Sequence, residues 1–137
     1  MLDNLEGIVI KQDNSLTLDD TIDVYMRSSL TRPTDDSTRI ETMLKNINFT
    51  VVARKQTKII GVVQAMTDFS FSCFISTVCV DDNYRNHGIG SRMIDVVFDK
   101  VGPGVTVVTV SRPEAVGFYK KNGFENGINT MIKVRQL

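Results

Sequence analysis

The stretch V-C-V-D-D-N-Y-R-N-H-G-I-G-S-R, Val78 to Arg92, decides the fold. An apolar run leads in, Asp81 to Tyr84 makes a sharp polar turn, and Arg85, Asn86, His87, Gly88, Ile89, Gly90, Ser91 and Arg92 open a helical pattern. Backbone N–H groups at a helix start have no intrahelical partner, and the helix dipole adds partial positive charge there. Such a start suits a phosphate or pyrophosphate. Gly88 and Gly90 fit this reading, because a side chain would hold the phosphate off the backbone. The loop is not a Walker A loop, since no Gly-Lys-Ser/Thr follows. As a dinucleotide fingerprint it fails at the third glycine, where Met93 stands.

Working outward, Ser72–Val80 is the strand that feeds the loop, and Ile89, Met93, Val96, Val97 and Val101 mark the helix that leaves it. Gly102-Pro103-Gly104 stops that helix. Val105–Val110 is a valine/threonine strand, apolar on both faces, as expected of an interior strand covered on both sides. Pro113 opens a helix over Glu114–Lys121, and Asn122-Gly123 ends it. A last strand is expected at Thr130–Arg135. Upstream, Gly7–Lys11 reads as a first strand. Thr17 caps a helix carrying Leu18, Ile22, Tyr25 and Met26, and Thr34 to Ser37 offer caps for a second with Ile40, Met43, Leu44 and Ile47. Phe49–Ala53 and Lys58–Ala65 read as a hairpin across a polar turn. The order is β-α-α-β-β-β-α-β-α-β, an α/β chain with a mixed sheet flanked by helices.

At 137 residues the chain is expected to be one domain, residues 1–137, with a single core. Sixteen basic and sixteen acidic residues cancel, so no field favours nucleic acid or a membrane surface. No apolar run approaches the ~20 residues of a membrane span. Met1–Glu6 lacks a signal peptide's basic start and apolar core, so the cytoplasm is the expected location. Cys73 and Cys79, six apart in one straight strand, would sit ~20 Å apart, beyond disulfide reach. Two cysteines and one histidine also argue against a zinc site. An uncovered edge on the last strand suggests a homodimer.

A second motif, A-V-G-F-Y-K-K-N-G-F-E from Ala115 to Glu125, follows the valine strand. Arg-x-x-Gly-x-Gly at Arg85–Gly90, followed by this segment, resembles the GCN5-related N-acetyltransferase (GNAT) family in its small single-domain branch. The resemblance covers nearly the whole chain. It implies the acyl-CoA N-acyltransferase fold, in which the loop strand and the following parallel strand splay apart and CoA's pantetheine lies between them. It further implies transfer of an acetyl group from acetyl-CoA to a primary amine, of a small molecule or of a lysine or peptide, by direct attack and without a metal. Tyr119 falls on the family's proposed general acid. Val78, Cys79, Val80, Arg85, Asn86, His87, Gly88, Ile89, Gly90, Ser91, Arg92, Ser111, Phe118 and Lys121 fall on or beside its cofactor contacts. Ser111 and Arg112 stand where the family often places an asparagine. A non-catalytic acyl-CoA sensor is the alternative that would keep the loop, and retention of Tyr119 argues against it.

A neutral amine must form before attack, since alkylammonium groups have pKa values near ~10. The loop strand S-C-F-I-S-T-V-C-V carries no carboxylate, so a relayed water is the expected proton path, with Asp35, Asp36 and Glu41 as weaker options. Asp81 and Asp82 read as turn residues. Backbone N–H groups at Cys79 or Val80 are candidates to hold the oxyanion. His87 sits at a free loop position and suits a phosphate contact better than a base. Cys79 has no identifiable histidine partner and reads as packing rather than as a nucleophile. Arg32-Pro33, joining the first two helices, is expected to border the acceptor pocket.

Overall fold

The computed structural model describes residues 6–30 and 32–136. The expectation placed on Met1–Leu5 lies outside them. Among the described residues, five strands form one sheet in chain order: β1 (Ile8–Gln12), β2 (Phe49–Lys55), β3 (Lys58–Thr67), β4 (Ser72–Val80) and β5 (Thr106–Thr109). The first three pairings are antiparallel and the last is parallel. A parallel pair needs a long crossover, and helix α3 (Ile89–Val101) supplies it. Helices α1 (Leu18–Met26) and α2 (Ser37–Asn46) precede the hairpin, and α4 (Val116–Lys121) follows β5.

The caps form where the sequence offers them. The Thr17 hydroxyl accepts the Asp20 N–H at 3.1 Å, and the Asp36 carboxylate accepts the Arg39 N–H at 3.1 Å. Two apolar layers hold the sheet. Ile89, Met93, Ile94, Val97 and Val101 of α3 pack on one face. Val24 and Tyr25 of α1 pack on the other, against Val52, Val62 and Cys79. Burying a side chain of this size stabilises by roughly 1.5–3 kcal/mol.

A β-bulge in β4 matters to everything downstream. Gln64 faces Thr77 and Ala65 faces Ile75, so Ser76 is one residue too many for the ladder. A bulge of this kind reverses the side-chain alternation beyond it. Cys73 and Ile75 therefore lie under α3, whereas Cys79 lies under α1 and Val78 and Val80 turn towards α3. The two thiols are free, on opposite faces.

Two expectations are corrected. The valine strand is an edge strand, not an interior one: β5 has β4 alone as neighbour, and Val108 and Val110 are exposed. Val105 and Val107 pack on the α3 side, while α1 and α2 cover the strands on the far side of β4. The second expectation is the strand at Thr130–Arg135, which does not form. Asn129 turns the chain with φ of 64°, and the segment then runs past the end of β5 without pairing. Met131 is 89% exposed and Val134 69%. With no face to bury, the alternating pattern gains nothing to offset the entropy of ordering.

The loop after β4 is tied down by Asp81, which is 1% exposed. Its carboxylate pairs with the Arg27 guanidinium, accepts the Asn83 N–H at 2.8 Å, and lies 3.8 Å from Lys58. Burial by itself would raise its pKa. The Asn83 N–H, Arg27 and Lys58 outweigh that and hold it below the usual 3.8. Asp13 is pushed down to about 2, chiefly by hydrogen bonds from Ser15 and from Arg54. Both groups are depressed in the fold, so their stabilisation is full above the ordinary carboxylate range and is lost as pH falls through their folded values. Denaturant titrations should show stability declining below about pH 4. Asp81→Ala should cost about 2–3 kcal/mol at pH 7, below the ~3–5 kcal/mol of a fully buried pair because Arg27 is partly solvated, and should flatten the acid decline.

Candidate active site

The site starts where β4 and β5 part. Their pairing ends at Ile75 and Thr109, with the Thr109 hydroxyl donating to the Ile75 carbonyl at 3.0 Å. β4 runs on for five more residues, with β3 still paired on its other edge. A cavity of about 770 Å³ opens there, walled by Ser76–Val78, by Thr109–Arg112 and by Tyr119. Arg112 reaches across it and donates to the Ser29 carbonyl at 3.1 Å.

Beyond β4, a one-turn 3₁₀ helix (Asp82–Tyr84) leads to Asn86 with φ of 65° and Gly88 with φ of 81°. Gly88 is the N-cap of α3, and no side chain caps that start. The N–H groups of Ile89, Gly90 and Ser91 precede the first helical turn's closing bond, from the Arg92 N–H to the Gly88 carbonyl at 3.0 Å. They lack intrahelical acceptors, as an anion site requires. The glycines serve different needs. Gly88 holds a left-handed conformation that costs other residues roughly 1–2 kcal/mol, and a Cβ there would meet nothing within 4 Å. Gly90 is buried, and a Cβ would lie 3.0 Å from the Phe118 ring. Packing against α4 is therefore a second reason for glycine there, beside the expected approach of a phosphate.

α4 is built to present two aromatic rings in different directions. Gly123 (φ 90°) donates to the Lys120 carbonyl, and the Phe124 N–H donates to the Tyr119 carbonyl at 3.0 Å. This is a Schellman ending, with the apolar contact that usually accompanies it. Phe124 stacks edge-on against Tyr119 at 5.3 Å, and Phe118 does so at 5.1 Å. Phe118 thus meets Gly90 at the start of α3 while Tyr119 borders the cavity. Burial raises the Tyr119 pKa above 10, and the Thr109 hydroxyl and Arg112 only partly oppose it. The phenol therefore keeps its proton through the neutral range.

The remaining candidates separate clearly. Val78 and Ser111 line the cavity. Arg85, Arg92 and Lys121 are exposed, and Arg85 lies 3.8 Å from Asp82. His87 is half-buried beside Gly88. Burial pushes the Cys79 thiol up to about 12, so it is a neutral packing group and not a nucleophile. Among the carboxylates, Asp36 caps α2, Glu41 lies 3.8 Å from Lys45, Asp68 accepts three backbone N–H groups, and Asp81 is locked to Arg27. Among the described residues, no aspartate or glutamate lines the cavity. A broader hollow of about 1080 Å³ between α3, β5 and Phe124–Thr130 is lined neither by Tyr119 nor by any of Arg85–Arg92. Sequence reasoning missed the Ser76 bulge and the Arg112 bridge, neither of which has a local signature.

These features match a known family. The profile of the acetyltransferase (GNAT) domain matches residues 46–126. The chain belongs to the GNAT acetyltransferases, enzymes whose acetyl donor is acetyl-CoA. Solved structures agree in fold. A GNAT-family acetyltransferase from Streptococcus pneumoniae superposes with a TM-score of 0.74 at 23% identity, covering 95% of this chain and 99% of the other. An aminoglycoside N-acetyltransferase solved with CoA gives 0.68 at 16% identity, covering 95% of each chain. Glucosamine-6-phosphate N-acetyltransferase from Arabidopsis thaliana gives 0.64 at 19% identity, covering 94% and 99%. No curated protein sequence matches the chain.

If Gly90 is held by contact with Phe118, the two positions must be coupled. Gly90→Ala should destabilise by about 1–3 kcal/mol through overpacking, and Phe118→Leu should recover part of that loss. A double-mutant cycle by chemical denaturation should give a coupling of at least ~0.5 kcal/mol. Strict additivity would show that the two do not touch.

Proposed function

We propose that this enzyme transfers the acetyl group of acetyl-CoA to a primary amine, acting as one acetyltransferase domain across residues 1–137. The observation that carries this reading is the pairing of an uncapped α3 N-terminus with the β4–β5 gap that Tyr119 borders. Acetyl-CoA supplies an activated thioester and a thiolate leaving group. The N–H groups of Ile89, Gly90 and Ser91 would hold its pyrophosphate, with Arg85, Asn86, His87, Gly88 and Arg92 around them. Ser76–Val80 offers backbone groups on an edge that β5 leaves open, and Ser111 faces them across the gap. The Val80 N–H is the candidate to hold the carbonyl oxygen; the Cys79 N–H, two residues before the Asp81 N–H that bonds the Ile60 carbonyl, points into the β3 ladder and is not available. Phe118 supports the loop through Gly90, and Lys121 is an outlying candidate for the cofactor's charged end.

Tyr119 is the proton donor in this reading. Its hydroxyl gives a proton to the departing sulfur, and its raised pKa keeps that proton in place until it is needed. The amine loses its proton to a relayed water, since among the described residues no aspartate or glutamate lines the cavity and most candidate carboxylates are committed to other partners. The cytoplasm is the compartment we assign, supported by two buried free thiols. A homodimer is supported by the open edge of β5 and by exposed Met131 and Val134.

Tyr119→Phe preserves the ring contacts with Phe118 and Phe124. It should lower kcat by about 10²–10⁴-fold and leave the KM for acetyl-CoA within about threefold. The wild-type alkaline limb should lie above pH 10, because burial raises this pKa, and it should vanish in the variant. Turnover within twofold of wild type would make Tyr119 a packing residue.

A further inference from the structure

A second cavity, of about 250 Å³, adjoins the first and shares Arg32, Ser76 and Arg135 with it. Its apolar wall is Ile40 and Met43 of α2, Ile47 just after that helix, and Met66 of β3. Arg32, Arg39 and Arg135 line it, and among the described residues no aspartate or glutamate does.

Arg32 is the informative residue. Its guanidinium is half-buried and donates to the Thr77 hydroxyl, to the Tyr25 hydroxyl at 3.3 Å and to the Ser76 carbonyl at 2.8 Å. The Met43 sulfur is a fourth acceptor at 3.6 Å, and all four are neutral. Among the described residues, no carboxylate lies within ion-pair distance of it. Arg27, buried to a similar depth, has both Asp23 and Asp81. A half-buried guanidinium without a counter-charge is costly, and its planar fork suits a carboxylate. The bulge at Ser76 turns that carbonyl into Arg32's anchor and fixes the guanidinium at the mouth between the two cavities.

We propose that the acceptor is a compact amine carrying a carboxylate beside an apolar group, in the manner of an apolar α-amino acid. This rests on the acetyl-transfer reading above. The carboxylate pairs with Arg32, the apolar group enters the α2 cavity, and the amine is left towards Tyr119. The cavity is smaller than the ~300–1,000 Å³ of drug-sized sites, which suits a compact apolar group. Its arginines disfavour polyamines and other polycations. In the transfer, the amine nitrogen forms a bond to the acetyl carbonyl carbon and the carbon–sulfur bond breaks. The electron pair leaves on sulfur, which takes one proton, and the nitrogen gives one proton to water.

The test compares phenylalanine with phenethylamine, which lacks only the carboxylate, and with spermidine, by thiol release at saturating acetyl-CoA. Binding of 3-phenylpropionate, which has the carboxylate but no amine, is measured in parallel by calorimetry. Phenylalanine should exceed phenethylamine in kcat/KM by roughly tenfold to a hundredfold, the worth of a charged hydrogen bond, and spermidine should be the poorest. Arg32→Gln should erase that preference and weaken 3-phenylpropionate. Phenethylamine or spermidine equalling phenylalanine in the wild-type enzyme would overturn the proposal without recourse to any variant. If 3-phenylpropionate binds in an Arg32-dependent way but no amine turns over, the carboxylate site stands and the transfer reading falls.

Discussion

β4 keeps a partner along its whole length on one edge and only as far as Ile75 on the other. Backbone N–H and C=O groups buried without partners are costly, so the last five residues of β4 require something on the β5 side. Arg32 takes the Ser76 carbonyl. The groups beyond it front a cavity, and the rest of the molecule holds that cavity open.

Three devices do this. α3 crosses from the end of β4 to the start of β5 and buries five apolar side chains under the sheet, which fixes β5 parallel to β4. The Asp81–Arg27 pair locks the turn before α3 to the end of α1, so the helix start cannot drift from the strand that feeds it. The Schellman ending of α4 pulls Phe124 back onto Tyr119 and sets Phe118 against Gly90. The α3 start, the gap and the phenol are thus placed by one crossover helix, one ion pair and one helix ending.

What was legible in the sequence was local. The caps at Thr17 and Asp36, the strand–loop–helix at Val78–Arg92 and the Asn122-Gly123 stop each depend on a few adjacent residues, and each formed as read. What was not legible depended on neighbours far away in the chain. Valine on both faces of β5 says that both faces tolerate apolar contact, not that a second strand arrives to cover the edge. The alternation at Thr130–Arg135 likewise cannot supply a partner or a buried face. The packing of Gly90 against Phe118 was not legible either, because that contact spans 28 positions. Arg32 was marked by position, but its missing counter-ion is a property of three elements at once.

The central claim is that the α3 start and the β4–β5 gap form one binding surface for CoA. Backbone amide NMR during a CoA titration tests it most directly. The largest shift changes should fall on Gly88–Ser91, on Ser76–Val80 and on Thr109–Ser111. Changes concentrated instead on Val105–Val108 and Phe124–Thr130, around the broader hollow, would contradict it.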